Sequence, residues 1–349
     1  MPSTGFVKTS YKNVPSLFPL QYGSNGNEVL DLQQRLVSVG YDISPDELGR
    51  YGQGTRAAVE SFQYHRGLEI TGTCTSTTWN TLVEACYELG DRILYYTRPL
   101  MRGDDIADLQ KKLSSLGFDI GKVDGIFGKN TANGVADFQA NVGLHPDAIC
   151  GYRTVAELNR LFFSRSGTEL VAGIKDRERL RNSPKTLSSK KILIADSGGL
   201  GALVHAIKRQ LGEANATILD IGHPSGAVQA SIANSANVDM CLSMTLVPNN
   251  DTSTIAYYSG HSYESPGGKR LAQLVVQHLK KYFDSIPIDC RGMSLPILRE
   301  TQMTAVLCQI GSSCGIAESM PSYSNAISEA IAEWVVSPID HTAHPIPQP

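Results

Sequence analysis

The sequence predicts a multidomain chain: two small all-α three-helix repeats, then an α/β domain with a mostly parallel sheet. Three observations predict this. A segment of the first half recurs at a fixed offset, so one small unit has been copied. From Lys190 onward, short apolar runs alternate with amphipathic stretches, the pattern of strand–helix units. Between the two parts lies a stretch rich in Lys and Arg with neither period. A length of 349 residues leaves room for two or three cores at about 150 residues each.

The repeat comes first. EVLDLQQRL (28–36) recurs as DIADLQKKL (105–113), and GQGTRAAVESFQYHRGL (52–68) as GKNTANGVADFQANVGL (128–144). Leu32 maps to Leu109, an offset of 77, and Thr55 to Thr131, an offset of 76; one residue of indel reconciles them. Val29, Leu32, Leu36 and Val39 recur at helical spacing, as do Ile106, Leu109, Leu113 and Leu116. Gly40 and Gly117 follow these helices, where a left-handed cap is expected. Thr55 and Thr131 are expected as helix N-caps. Third helices are expected around Trp79–Cys86 and Val155–Phe162. Phe62, Phe127 and Phe138 are expected to fill cores.

Between Arg165 and Lys191, Arg165, Lys175, Arg177, Arg179, Arg181, Lys185, Lys190 and Lys191 stand against Glu169, Asp176 and Glu178, eight less three, or +5. A solvated, partly helical connector is expected, with a docking strip for an acidic partner as the alternative. Then KILIADSGG, ATILDIG, VDMCLSMTLV, TIAYYSG and TAVLCQIG read as strands. Leu203–Leu211, Ser225–Ala236, Pro266–Phe283 and Asn325–Val336 read as helices between or after them. The expected division is an extension (1–22), repeat one (23–90), repeat two (91–163), a basic linker (164–189), the α/β domain (190–336) and a mobile proline-rich tail (337–349).

Composition excludes several classes. Lys+Arg is 31 against Asp+Glu 34, which argues against nucleic acid as the main partner, since phosphate neutralisation needs a basic excess. No run approaches the roughly 20 apolar residues of a transmembrane segment. The first residues show no secretory signal, so a cytoplasmic location is expected. The seven cysteines are scattered without a CxxC, which predicts packed, reduced thiols.

VDGIFGKNTANGVADFQANVGL (123–144) resembles the peptidoglycan-binding domain of bacterial cell-wall enzymes. The resemblance makes Asp124, Gly125, Phe127, Gly128 and Gln139 the candidate binding residues, with peptidoglycan or its precursors as ligand. Copy one keeps Gly52, Thr55, Phe62-Gln63 and Gly67-Leu68 but reads SPDELGRYG (44–52) through the turn. The backbone freedom of Asp124-Gly125 is therefore expected in copy two and not in copy one.

Residues 190–336 resemble the zinc-dependent N-acetylmuramoyl-L-alanine amidase family. KILIADSGG stands at its first strand and Gly-His-Gly-Gly turn, LSMTLVPN (242–249) at Ser-Ile-His-Ala-Asn, and TAVLCQIGS (304–312) at the closing strand with Glu-x-Gly. The resemblance implies His, Glu and His as zinc ligands and a late Glu as base. Here the first His is missing from Asp196-Ser197-Gly198-Gly199, and the loop that should carry the ligand Glu is absent. The second His position reads Thr245 and the base position Gln309. No cofactor is therefore expected, and the chain reads as a pseudo-amidase. Of His205, His223, His261 and His278, none forms an HxxxH or HExxH spacing; His261 with Glu264 is the least implausible alternative site. The combination resembles actinobacterial cytoplasmic amidase-like regulators. That resemblance implies action on precursor synthesis through the enolpyruvyl transferase MurA, with phosphorylation near the carboxyl terminus, where Thr342 is the candidate. Two alternatives stay open: an amidase cleaving the MurNAc–L-Ala bond, and an exported wall-binding protein.

Overall fold

The structure, a computed structural model, describes residues 18–163, 171–248, 252–260, 263–283, 287–311 and 316–339. His261, Cys314, Thr342 and the tail from residue 340 lie outside the described residues. The chain divides into two compact units, Met1–Tyr87 and Glu88–Pro349.

The first unit holds repeat one: α1 (Asn27–Ser38), α2 (Gln53–His65) and α3 (Ser76–Ala85). Val29, Leu32, Leu36, Val59, Phe62 and Leu82 are its fully buried core. An antiparallel bridge between Leu20 and Cys74 closes the repeat, which reaches back past the expected start at residue 23. The second unit opens with repeat two: α4 (Asp104–Ser115), α5 (Lys129–Asn141) and α6 (Tyr152–Phe163), closed by the matching Leu94–Cys150 bridge. Cys74, Cys150, Cys241 and Cys308 are buried and free, and burial pushes each thiol up to about 12.

Gly40 (φ +91) and Gly117 (φ +100) adopt the left-handed conformation expected of them. Tyr41 N–H then reaches Leu36 O and Phe118 N–H reaches Leu113 O, satisfying carbonyls that a helix end leaves open. Two expectations are corrected. Thr55 and Thr131 are not N-caps: Gly52 and Gly128 hold those positions, and the threonines lie inside the first turn, buried. In copy one the Asp46 carboxylate takes the capping role, accepting from the N–H groups of Gly52, Gly54 and Thr55 at 2.7–3.0 Å; copy two has Lys122 at that position, and Gly128 precedes α5 without it. What both copies share is a buried glutamine that engages the threonine: the Thr55 hydroxyl accepts from Gln33 Nε2 at 2.9 Å, and the Thr131 hydroxyl from Gln110 Nε2 at 3.0 Å. Copy one also keeps the left-handed glycine. Gly49 (φ +79) stands where copy two has Gly125 (φ +70), within a turn whose side chains differ.

Gly125 has no room for a larger residue. A Cβ there would lie 2.9 Å from Gly103 O and 3.1 Å from Arg299 Nη2. Gly125→Val is expected to destabilise the second unit by about 1–3 kcal/mol through strain at positive φ; an unchanged denaturation midpoint would contradict this.

The basic segment forms α7 (Val171–Asn182). It is less solvated than expected, because Leu180 is 6% exposed and belongs to the α/β core. The α/β part follows as β1 (Lys191–Asp196), α8 (Gly201–Glu213), β2 (Thr217–Gly222), α9 (Gly226–Ala236), β3 (Met240–Val247), β4 (Ser253–Tyr258), α10 (Pro266–Tyr282), β5 (Ile288–Met293), α11 (Pro296–Arg299), β6 (Thr304–Gly311) and α12 (Ile316–Val336). The last helix starts earlier than expected and carries Pro321 within it. The strand order is β2-β1-β3-β6-β4-β5, with every pairing parallel except β4 with β6.

Strand residues alternate between two covered faces, which is why β1, β3 and β6 are apolar nearly throughout. Ile192, Ile194, Leu242, Met244, Val306 and Cys308 pack on one face with α8, α10 and α12. Leu193, Ala195, Cys241, Ala256 and Leu307 lie in the other core together with Leu109, Phe127 and Phe138 of repeat two. Repeat two thus shares a hydrophobic core with that side of the sheet, beside α9 and α11.

Candidate functional site

In an open α/β sheet a ligand site forms where the carboxyl ends of the strands meet their loops. At that edge β1 turns into α8 through Ser197–Leu200 alone. The Asp196 carboxylate accepts from Gly198 N–H at 2.8 Å and from Leu200 N–H at 3.2 Å, so it fastens its own turn. Gly199 (φ +88) sits against Leu246, which keeps this turn close to β3.

Thr245 and Gln309 are register partners on the adjacent parallel strands β3 and β6. Neighbouring strands run about 4.8 Å apart, and partnered residues share a face. The two residues read as former ligand and former base are therefore side by side. Thr254 of β4 is the partner of Gln309 on its other side, so the row reads Thr245, Gln309, Thr254. It contains neither carboxylate nor imidazole.

The same face carries a second set of neutral groups that motif reading missed. Gln229 of α9 is fully buried. Its Oε1 accepts from Ser243 Oγ at 2.7 Å, and its Nε2 donates to Ser197 Oγ at 3.0 Å and to His223 O at 2.6 Å. Ser197 lies in the turn that the sequence resemblance sets against the first His of the amidase motif. Nothing in the local sequence GAVQASIANSA marks Gln229 out, because its partners lie on other elements. A zinc ion takes imidazole, thiolate or carboxylate ligands. Hydroxyls and amides in these places do not fit it, and an amide cannot act as a base. Among the described residues no group of three or more His, Cys, Asp and Glu could hold a metal ion.

The other histidines are placed as follows. His278 is buried, with Nδ1 3.0 Å from Glu329 and Nε2 2.8 Å from Glu333, pinning α10 to α12. His223 Nδ1 accepts from Ser225 N–H at 3.0 Å, and His205 is exposed on α8.

The candidate binding residues of repeat two serve its own backbone. The Asp124 carboxylate accepts from Gln110 Nε2 and Ile126 N–H, and burial pushes it up. Phe127 is fully buried, and Gly128 starts α5. Buried Gln139 donates to Asp147, Ile149 O and Thr154 at 2.8–3.1 Å. The Asp124-Gly125 turn also meets α11: Arg299 Nε donates to Asp124 O at 2.7 Å and its Nη2 to Gly125 O at 3.4 Å. Lys122 Nζ donates to the carbonyls of Leu298, Arg299 and Thr301 at 2.9–3.1 Å and lies 4.1 Å from the Tyr258 ring. Beside it a cleft of 1090 Å³ opens at the end of the sheet where β6 begins, lined by Lys122, Asn234, Tyr263 and Thr304.

A family model for a peptidoglycan binding domain matches residues 25–82 and 102–158, the two repeats. N-acetylmuramoyl-L-alanine amidase CwlM of Mycobacterium tuberculosis is 30% identical over 344 residues, covering 89% of this chain and 83% of that protein. The chain belongs to the CwlM family. Outside full-length resemblance, N-acetylmuramoyl-L-alanine amidase CwlL of Bacillus licheniformis is 30% identical over 163 residues, 41% of this chain and 45% of that protein. Among solved structures, the N-acetylmuramyl-L-alanine amidase Ami1 of Mycobacterium smegmatis aligns with 44% of the chain and 99% of its own, at 12% identity and a TM-score of 0.37. Among the described residues of this CwlM-family chain, no helix is long and apolar enough to cross a membrane.

Proposed function

We propose that this CwlM-family chain is a peptidoglycan-binding, amidase-like protein that hydrolyses nothing and regulates the synthesis of cell-wall precursors. The observation that carries it is the neutral row Thr245–Gln309–Thr254, beside the closed Gln229 network, where an amidase needs metal ligands and a base. Zinc-assisted amide hydrolysis requires a charged centre to activate water and polarise the carbonyl. The residues here are arranged to do without one, and both ends of the Gln229 amide are answered by protein groups. The repeats supply recognition of peptidoglycan or its precursors. A cytoplasmic chain would meet precursors rather than finished wall, and the enolpyruvyl transferase MurA is the enzyme on which it would act.

Purified protein incubated with muropeptides and zinc tests the first half. No release of peptide is expected from wild type. None is expected from Thr245→His with Gln309→Glu either, because Ser197 and the short β1–α8 turn leave two ligands missing. Stoichiometric zinc with chelator-sensitive cleavage would overturn the reading. Turnover by purified MurA, measured with and without this chain, tests the second half; an unchanged rate would remove MurA as the target.

A further inference from the structure

Repeat two shows what its left-handed turn can hold, because a segment of its own chain sits there. The segment is the helical turn Pro296–Arg299 followed by Glu300. Arg299 gives its guanidinium to the carbonyls of Asp124 and Gly125, and Glu300 pairs with Arg102 at 2.9 Å. Arg102 lies across a β-bridge from Ile126.

Repeat one keeps the same frame. Gly26 N–H reaches Gly49 O at 2.9 Å, as Gly103 N–H reaches Gly125 O at 3.1 Å. Gln33 Oε1 accepts from Gly49 N–H at 2.7 Å, as Gln110 Oε1 does from Gly125 at 2.8 Å. Asn25 bridges Arg50 just as Arg102 bridges Ile126, so the cation has moved to the opposite strand of the same bridge. Leu48, at the position of Asp124, is 67% exposed. Glu47 is exposed in the turn, and the Glu28 carboxylate lies beside Gly26. In repeat two the matching positions are Val123, buried, and Asp105, which is held by Arg92 at 2.7 Å. Position 46, matching Lys122, is an aspartate spent on capping α2.

We infer that the Glu47–Arg50 turn of repeat one is a docking surface for a partner protein's helical turn ending in Arg-Glu, the counterpart of Leu298-Arg299-Glu300. The partner's arginine meets the Leu48 and Gly49 carbonyls between Glu28 and Glu47. Its glutamate meets Arg50, and its apolar residues cover Leu48. Bidentate arginine contacts to carbonyl oxygens give geometric specificity that a point charge does not.

The probe is a capped peptide of residues 294–302, SLPILRETQ, titrated into the full chain by fluorescence anisotropy. Saturable binding is expected, weakened about tenfold or more by Arg50→Glu in the protein and recovered when the peptide carries Glu300→Arg. Absence of binding overturns the inference. So does binding that ignores Arg50→Glu but is lost in Lys122→Met, which would place the peptide on repeat two. If a disaccharide-peptide fragment of peptidoglycan binds this turn and the peptide does not, the occupant is a glycan and the inference fails. No amidase or precursor-synthesis assay enters this experiment, so its failure leaves the proposed function standing.

Discussion

Gln110→Leu is expected to lower the stability of the second unit by about 3–5 kcal/mol, at the upper end of single substitutions. Gln110 is 1% exposed, and leucine is close to it in volume, so the effect comes from hydrogen bonding. Its Nε2 donates to Asp124, Ile126 O and Thr131, and its Oε1 accepts from the N–H groups of Asp124 and Gly125, all at 2.8–3.1 Å. Leucine would leave buried backbone groups and a carboxylate without these partners, each at the cost of its lost solvation. Chemical denaturation followed by circular dichroism measures the change. A loss below about 1 kcal/mol, the size of one ordinary hydrogen bond, would show that the turn holds without its glutamine.

Lys122→Met is the second large effect, and it depends on pH. Met matches the aliphatic stem but cannot donate to the carbonyls of Leu298, Arg299 and Thr301. Near neutral pH a loss of about 1–2 kcal/mol is expected. Burial pushes the Lys122 ammonium down to about 8, against about 10.4 in an unfolded chain. Between those values the unfolded chain holds a proton that the folded chain has released. Stability from this group therefore rises as pH climbs through the interval. The difference between wild type and Lys122→Met should widen from about pH 8 to about pH 10.4 and then level off. Paired denaturation curves at about pH 7 and about pH 10 measure it, because groups shared by both proteins cancel. A difference that shrinks with rising pH would mean that the ammonium, not the neutral amine, is the stabilising form.

The helices and strands were legible because their signals are local. The spacing of Leu32, Leu36, Leu109 and Leu113 needs no partner to be read, and Pro266 marks the start of α10 as sharply in sequence as in structure. That Thr245 and Gln309 lie together could be read only through the resemblance, because positions that serve one metal must be close; on β3 and β6 they are register partners. What escaped depended on distant groups. Asp46 takes the capping role expected of Thr55, and the capping box rule looks only a few residues away. Gly49 was overlooked because Leu48 and Arg50 flank it instead of aspartate and isoleucine, although its φ matches that of Gly125. Gln229 was invisible because its partners, Ser197 and Ser243, stand 32 and 14 residues away.

The shared core of repeat two and the sheet separates two ideas of a module. A segment can be copied between genes as a self-contained piece only while its surface owes nothing to its neighbours. Repeat two has given that up. Its Lys122 answers carbonyls beyond residue 297, its Val123 carbonyl accepts from the Tyr258 hydroxyl, and Phe127 and Phe138 lie in one core with Leu193 and Leu307. Moved elsewhere, it would carry a lysine and an apolar surface shaped for a sheet that is no longer there. The stretch that was duplicated is thus not the stretch that folds, and the boundary of inheritance runs through the middle of a hydrophobic core.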